Sequence, residues 1–282
     1  MTAEEACLGG GKLRALGVVL SLLLMFGVAH PLIAQVQLID QNSEVTIMTN
    51  SSAGQNHWVV DGSDVLHQQW FWYRVGNVGG QNSIDTLPAQ FALSDTNPFT
   101  DNHSDTLTAL YSGAGFTIEL RLSLTGGAIG SQTADMAEQI SIHNTSAQPL
   151  DFHFFQYVDF NLSASADTAI MTNANTIYQF GGTKSVSETV ATPAPDHHEI
   201  AITPTILNLL SSGSAVTLND VNSAGPDDVS WGFEWDVTLD AGDTLLISKD
   251  KHLDVPEPAS FMLTAVGFVG LWLVRRLSRK AS

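Results

Sequence analysis

From residue 35 to about residue 250 the apolar side chains recur at every second position far more often than at helical spacing, and that alternation commits the stretch to strands. Residues 64–75 read D-V-L-H-Q-Q-W-F-W-Y-R-V. Residues 150–160 read L-D-F-H-F-F-Q-Y-V-D-F, and residues 230–239 read S-W-G-F-E-W-D-V-T-L. Successive side chains of a strand point to opposite faces. Phe152, Phe154, Val158 and Phe160 therefore share one face, and Asp151, His153, Phe155, Tyr157 and Asp159 the other. Trp231, Phe233 and Trp235 are expected in the core, opposite Glu234 and Asp236. Gly, Asn and Pro clusters such as residues 112–115 and 144–149 supply turns between such runs. A single helix is expected at residues 204–212, with Thr203 as its cap, Pro204 in its first turn and Gly213 closing it. About a dozen strands, one short helix and no 20–50 residue repeat predict an all-β body, a large antiparallel β-sandwich rather than a propeller or solenoid.

Both ends have a different character. Lys12 and Arg14 precede an apolar stretch at residues 15–28, and Leu32-Ile33-Ala34 follows, the layout of a secretory signal peptide over residues 1–34. The body then runs over residues 35–254, and residues 255–282 form a distinct tail. The body carries 26 acidic side chains against five basic ones (Arg74, Arg121, Lys184, Lys249 and Lys251), a formal balance of −21. Such a field repels phosphate backbones and argues against nucleic acid as a partner. The one cysteine, Cys7, lies ahead of the signal's apolar core, so the body has no thiol for a disulfide or a zinc site.

The tail has three parts in order. Val255, Pro256, Glu257 and Pro258 open a short motif at residues 255–260, an apolar span at residues 259–274 is expected to form a transmembrane helix, and Arg275, Arg276, Arg279 and Lys280 form a basic cluster. The cluster places this end in the cytoplasm and the body across the inner membrane. This order resembles the PEP-CTERM sorting signal of Gram-negative bacteria. The resemblance implies that exosortase, a membrane protease, is a partner. It also implies an inner-membrane precursor with its body in the periplasm, and a final location at the cell surface or in the extracellular matrix. The run N-T-S-A-Q-P-L-D-F-H-F-F-Q-Y-V-D-F, with W-G-F-E-W-D-V-T-L-D-A-G-D, is similar to bodies of other PEP-CTERM proteins and, more distantly, to the sandwiches of sugar mutarotases and glycosidase accessory domains.

Within the body, Trp70, Trp72 and Arg74 on one strand face are candidate carbohydrate-binding residues, because exposed indoles stack on sugar rings and a guanidinium fixes hydroxyls. The competing expectation puts these tryptophans in the core. Asp95, Asn97, Asp101 and Asp105 crowd one loop with oxygen donors of the kind calcium takes, as do Asn219, Asp220, Asn222, Asp227 and Asp228 in another. No other cofactor is indicated. His197 and His198 are adjacent, so on a strand they diverge, and they are expected at a solvated loop end. No H-E-x-x-H, G-x-S-x-G or phosphate-loop motif occurs. The sequence thus predicts a non-enzymatic, exported surface or matrix protein in an exopolysaccharide layer. Its alternatives are a carbohydrate-binding module and a sugar-active enzyme working through carboxylates such as Asp151 and Asp159.

Overall fold

The computed structural model describes residues 35–164 and 166–256. The signal segment at residues 1–34, Glu257 and Pro258, the apolar span and the basic cluster lie outside the described residues. Among those described, no helix is long and apolar enough to cross a membrane.

The strands run in chain order as β1 (Val36–Asp40), β2 (Ser43–Met48), β3 (Gly54–Val60), β4 (Ser63–Asp64), β5 (Leu66–Val75) and β6 (Asn82–Ser83). Then come β7 (Ala89–Ser94), β8 (Thr106–Gly113), β9 (Phe116–Gly126), β10 (Thr133–Asn144), β11 (Leu150–Phe160) and β12 (Asp167–Asn173). Next are β13 (Thr176–Gly181), β14 (Lys184–Thr192), β15 (His197–Ile202), the helix α1 (Thr205–Leu210), β16 (Ser223–Asp227), β17 (Val229–Leu239) and β18 (Thr244–Asp254). They form two large sheets. The first has the order β1-β2-β3-β5-β11-β17-β15, with β4 on β3 and β6 on β5. The second has the order β16-β12-β13-β14-β18-β10-β9-β8-β7. The expected antiparallel sandwich with one short helix is what forms. Thr203 does not cap that helix. The cap position falls to Pro204 with no side-chain hydrogen bond, while the Thr203 N–H is engaged by the Asp228 carbonyl.

Alternation fixes which residues lie between the sheets. Trp231, Phe233 and Trp235 are buried there, and Trp231 stacks on Phe160 with ring centroids 5.8 Å apart. The centre of this core is polar. Glu138 on β10, Glu188 on β14, and Lys249 and Lys251 on β18 are fully enclosed and pair with one another. From the first sheet, Gln69 donates to Glu138 at 2.6 Å, Gln156 to Glu188 at 2.8 Å, and the Trp231 indole to Glu188 at 3.0 Å. Burial alone would raise both glutamates, but the two ammonium groups hold them below their ordinary values.

Candidate acid–base site on the outer face of the first sheet

Pairing of β5, β11, β17 and β15 builds a ladder on the face turned away from the second sheet. Directly opposed residues share a face, so Arg74, His153 and Asp236 form one rung, and Trp72, Phe155, Glu234 and His197 the next. Trp70, Tyr157, Gly232 and Glu199 follow, then Gln68, Asp159, Ser230 and Ala201. Residues 216–221 cross this face as a strap. The Leu218 N–H donates to Glu234 Oε2 at 2.7 Å, the Asn219 N–H to Glu199 Oε2 at 3.0 Å, and the Asp220 carboxylate meets His197 Nδ1 at 3.0 Å. Gly232 makes room for this cover, since a Cβ there would lie 3.3 Å from both Ile206 and Leu218.

The first two rungs bring acid–base groups together. His153 Nδ1 is hydrogen bonded to Asp236, which leaves its Nε2 without a hydrogen bond, 3.9 Å from the half-exposed Asp151 carboxylate. Glu234 is enclosed, and its Oε1 likewise has no partner. Burial first, and the nearby Asp236 charge, raise Glu234 to about 7 against the pull of the Leu218 N–H, His197 and Arg74. The hydrogen bond to Asp220 raises His197 in turn. Ligating atoms of His153, Glu234 and Asp236 lie within 4.8 Å of one another, a spacing a metal ion could use. The His153–Asp236 contact instead places a proton between two of those atoms. This is the arrangement that orients an imidazole for proton transfer.

The sequence-predicted residues fall elsewhere or play other parts. Trp70 and Trp72 present no flat face to solvent, being 0% and 3% exposed. The Trp70 indole donates to Asp85 at 2.9 Å and is walled in by Gly54, whose Cβ would clash with it at 2.2 Å. Trp72 meets Tyr157 edge-on. An exposed indole platform is therefore not formed, because both faces of this central strand are covered. Arg74 is buried beside Phe155 and donates to the carbonyls of Gly76 and Val216. Asp95, Asn97, Asp101 and Asp105 form a loop organised around Asp105, which is buried and accepts from Thr96, Asn97 and Thr106. Asp95 accepts from the Asn97 N–H and Asp101 from those of Gln41 and His103, so these oxygens serve the turns. His197 and His198 open β15 instead of ending a loop, and they diverge as adjacent strand residues must. Glu234 and Asp236 were visible in the alternation only as the polar side of a core strand. Their partner His153 lies more than eighty residues earlier in the chain, beyond the reach of any local motif.

At the other end of β18 the sorting residues begin without a spacer. The Val255 N–H donates to the Gln132 carbonyl at 2.9 Å, its side chain is buried, and the Thr183 hydroxyl donates to the Pro256 carbonyl at 2.8 Å. Residues 254–280 match the PEP-CTERM protein-sorting motif. The chain carries a PEP-CTERM sorting motif. That motif implies a secreted, membrane-anchored precursor that is then processed for the surface, with exosortase as the implied processing partner.

No curated protein matches the chain. Among solved structures, a bacterial glucoamylase complexed with acarbose superimposes with a TM-score of 0.50 at 8% identity, over 84% of this chain and 35% of the glucoamylase. The chain thus spans about a third of that enzyme's length. A galactose mutarotase-like protein from Lactobacillus casei gives a TM-score of 0.48 at 8% identity, over 78% of this chain and 99% of its own. A galactose mutarotase related enzyme from Lactobacillus acidophilus gives 0.44 at 10% identity, over 79% of this chain and 100% of its own. These are likenesses of fold. The glucoamylase is an enzyme that contains this fold, so the expectation of a non-enzymatic body, which rested on the lack of a local catalytic motif, does not stand. The sandwich is one that enzymes also use, and its acid–base groups come from strands far apart in sequence.

Proposed function

We propose that this exported PEP-CTERM protein acts on a sugar at the surface, with Glu234 and His153 exchanging protons with its hydroxyl and ring oxygens. The observation that carries the reading is the pair of buried, unpartnered atoms, Glu234 Oε1 and His153 Nε2, on neighbouring rungs of one sheet face. A carboxyl group titrating near 7 is divided between acid and carboxylate at neutral pH, so it can both give and take a proton. Asp236 holds Nδ1 of His153, which leaves Nε2 for the opposite transfer. One group removes the proton of an anomeric hydroxyl while the other protonates the ring oxygen, the pair of transfers that opens a cyclic sugar. The side of the site toward Asp151 and Asp236, whose side chains are 40% and 32% exposed, is the direction of approach. The likeness to a glucoamylase fold favours a carbohydrate over other polar substrates.

The test is interconversion of the anomers of free aldoses by the full chain in detergent, followed by polarimetry or saturation-transfer NMR. Acceleration above buffer is expected, falling by roughly 10²–10⁴-fold in Glu234→Gln and in His153→Asn. A wild-type chain no faster than buffer across a panel of aldoses would defeat the reading.

A further inference from the structure

The strand that leads into the sorting motif ends beside two loops whose tips are apolar and bare. Phe99, between β7 and β8, is 98% exposed, and Ile129, between β9 and β10, is 88% exposed. One carboxylate gathers both loops. Asp40, at the end of β1, accepts from the Thr100 hydroxyl at 2.7 Å through Oδ1 and from the Gly126 N–H at 2.9 Å through Oδ2. Its neighbours complete the clasp: the Gln41 N–H donates to Asp101 at 2.9 Å, and Asn42 Oδ1 accepts from the Gly127 N–H at 2.8 Å. The second loop also meets the start of the tail, because the Val255 N–H donates to the Gln132 carbonyl at 2.9 Å. The apolar span of the sequence then begins at residue 259. Phe99, Ile129 and the point where the tail leaves the body are therefore at one end of the sandwich. The opposite end, about 35 Å away along β10 at strand spacing, is marked by Val78. The Val78 loop is tied to Asp151 through Gly76 and Asn77, next to Leu150, which pairs with Leu239, whose carbonyl accepts from Asn144 at the end of β10.

The two tips are free of charge in a strongly acidic body. No charged residue stands between Asp95 and Asp101, or between Arg121 and Asp135. Asp101 and Asp61, which flank the tips, are spent on backbone: Asp101 accepts from the N–H groups of Gln41 and His103, and Asp61 from those of Gly130 and Gln132. Scattered single apolar side chains are ordinary on a soluble surface. These two share one clasp, at the place from which a membrane anchor departs. We propose that this end of the sandwich is a membrane-contact surface, with Phe99 and Ile129 entering the headgroup–acyl boundary of a phospholipid bilayer while the precursor is anchored by its tail. Two apolar side chains alone hold a bilayer only weakly, but a tail that keeps them next to the lipid makes their insertion an intramolecular step. Headgroups of zero net charge suit the contact, because the acidic body repels an anionic surface.

The experiment places one fluorophore on the full chain, reconstituted into phosphatidylcholine vesicles that contain lipid with a nitroxide quencher near the headgroup. A Cys7→Ser background leaves the labelling thiol to Ala128→Cys, beside Ile129, or to Val78→Cys at the far end. Quenching of the label on Ala128→Cys is expected to exceed that on Val78→Cys by roughly twofold or more. Adding Phe99→Asp and Ile129→Asp should bring it down to the Val78→Cys level, with near-ultraviolet circular dichroism showing the body still folded. Phe99→Ser with Ile129→Ser replaces that pair if the aspartates unfold the chain. Equal quenching at the two labels in the otherwise unchanged chain overturns the proposal, because this end then stands clear of the lipid. Quenching on Ala128→Cys that survives loss of Phe99 and Ile129 overturns it too, since the anchor alone then accounts for the proximity. So does a full chain that fails to float with the vesicles, which removes the anchor itself.

Discussion

Glu234 shows how one residue's role depends on what the fold lays over it. In the sequence it is the polar alternate of a core strand, flanked by Phe233 and Trp235, and alternation alone would leave it in water. The strap at residues 216–221 closes over it, and burial then raises its carboxyl to about 7 from an ordinary 4.5. The folded chain thus holds this proton more tightly than the unfolded chain does. The resulting stability is fully present below about 4.5 and is lost as pH rises through about 7. Urea unfolding across that window should therefore show a wild-type loss on going from acid to neutral that Glu234→Gln lacks, by roughly 1–3 kcal/mol. A pH dependence unchanged in Glu234→Gln would mean that the carboxyl is not held in this way. Trp70 and Trp72 make the opposite case. Their burial was legible as one of two expectations, but which one applied depended on cover from elsewhere in the chain, such as the turn at Ile84–Thr86 whose Asp85 accepts from the Trp70 indole, a segment with little pattern of its own.

Among the elements, β18 was partly legible. Its start was clear from the Ala241-Gly242-Asp243 turn, yet alternation also places Lys249 and Lys251 in register with the core residues Ile247 and Leu253. Two lysines in apolar slots signal buried partners, and these could not be named until β10 and β14 were placed on either side of it. Strand β14, K-S-V-S-E-T-V-A-T, was hidden by its polar composition, although its Glu188 is one of those partners. Ile84–Thr86, between two strands, forms a 3₁₀ turn with Ile84 buried. The quartet makes this part of the fold sensitive to single changes. Lys249→Met leaves Glu138 and Glu188 sharing one ammonium, and removal of one buried partner costs about 3–5 kcal/mol. Urea unfolding should show that loss, and adding Glu188→Gln should cost less than the two single changes together, since the partners are coupled. Strict additivity would show that the four charges do not act as one unit.

For the whole molecule, the tail was the most legible part and the body's activity the least, because a sorting signal is contiguous and a surface site is not. The two meet directly. β18 is paired on both sides down to Asp254, and Val255 is already packed into the body. The charge balance also sharpens once the fold is known. Of the five basic side chains in the body Arg74, Lys249 and Lys251 are buried, and so are eight of the 26 acidic ones, which leaves 18 acidic side chains against two basic ones, Arg121 and Lys184, outside the core. Like charges spread over one surface oppose the compact state, and salt weakens that opposition as the screening length falls from about 10 Å at 0.1 M to about 3 Å at 1 M. Sodium chloride should therefore raise the unfolding midpoint steadily across this range. The rise should persist in Glu234→Gln, because it comes from the whole surface and not from one buried carboxyl. A midpoint that is flat in salt would require the surface carboxylates to be neutralised locally, and the exposed histidine–aspartate contacts such as His57–Asp64 and His252–Asp135 would then be the first places to look.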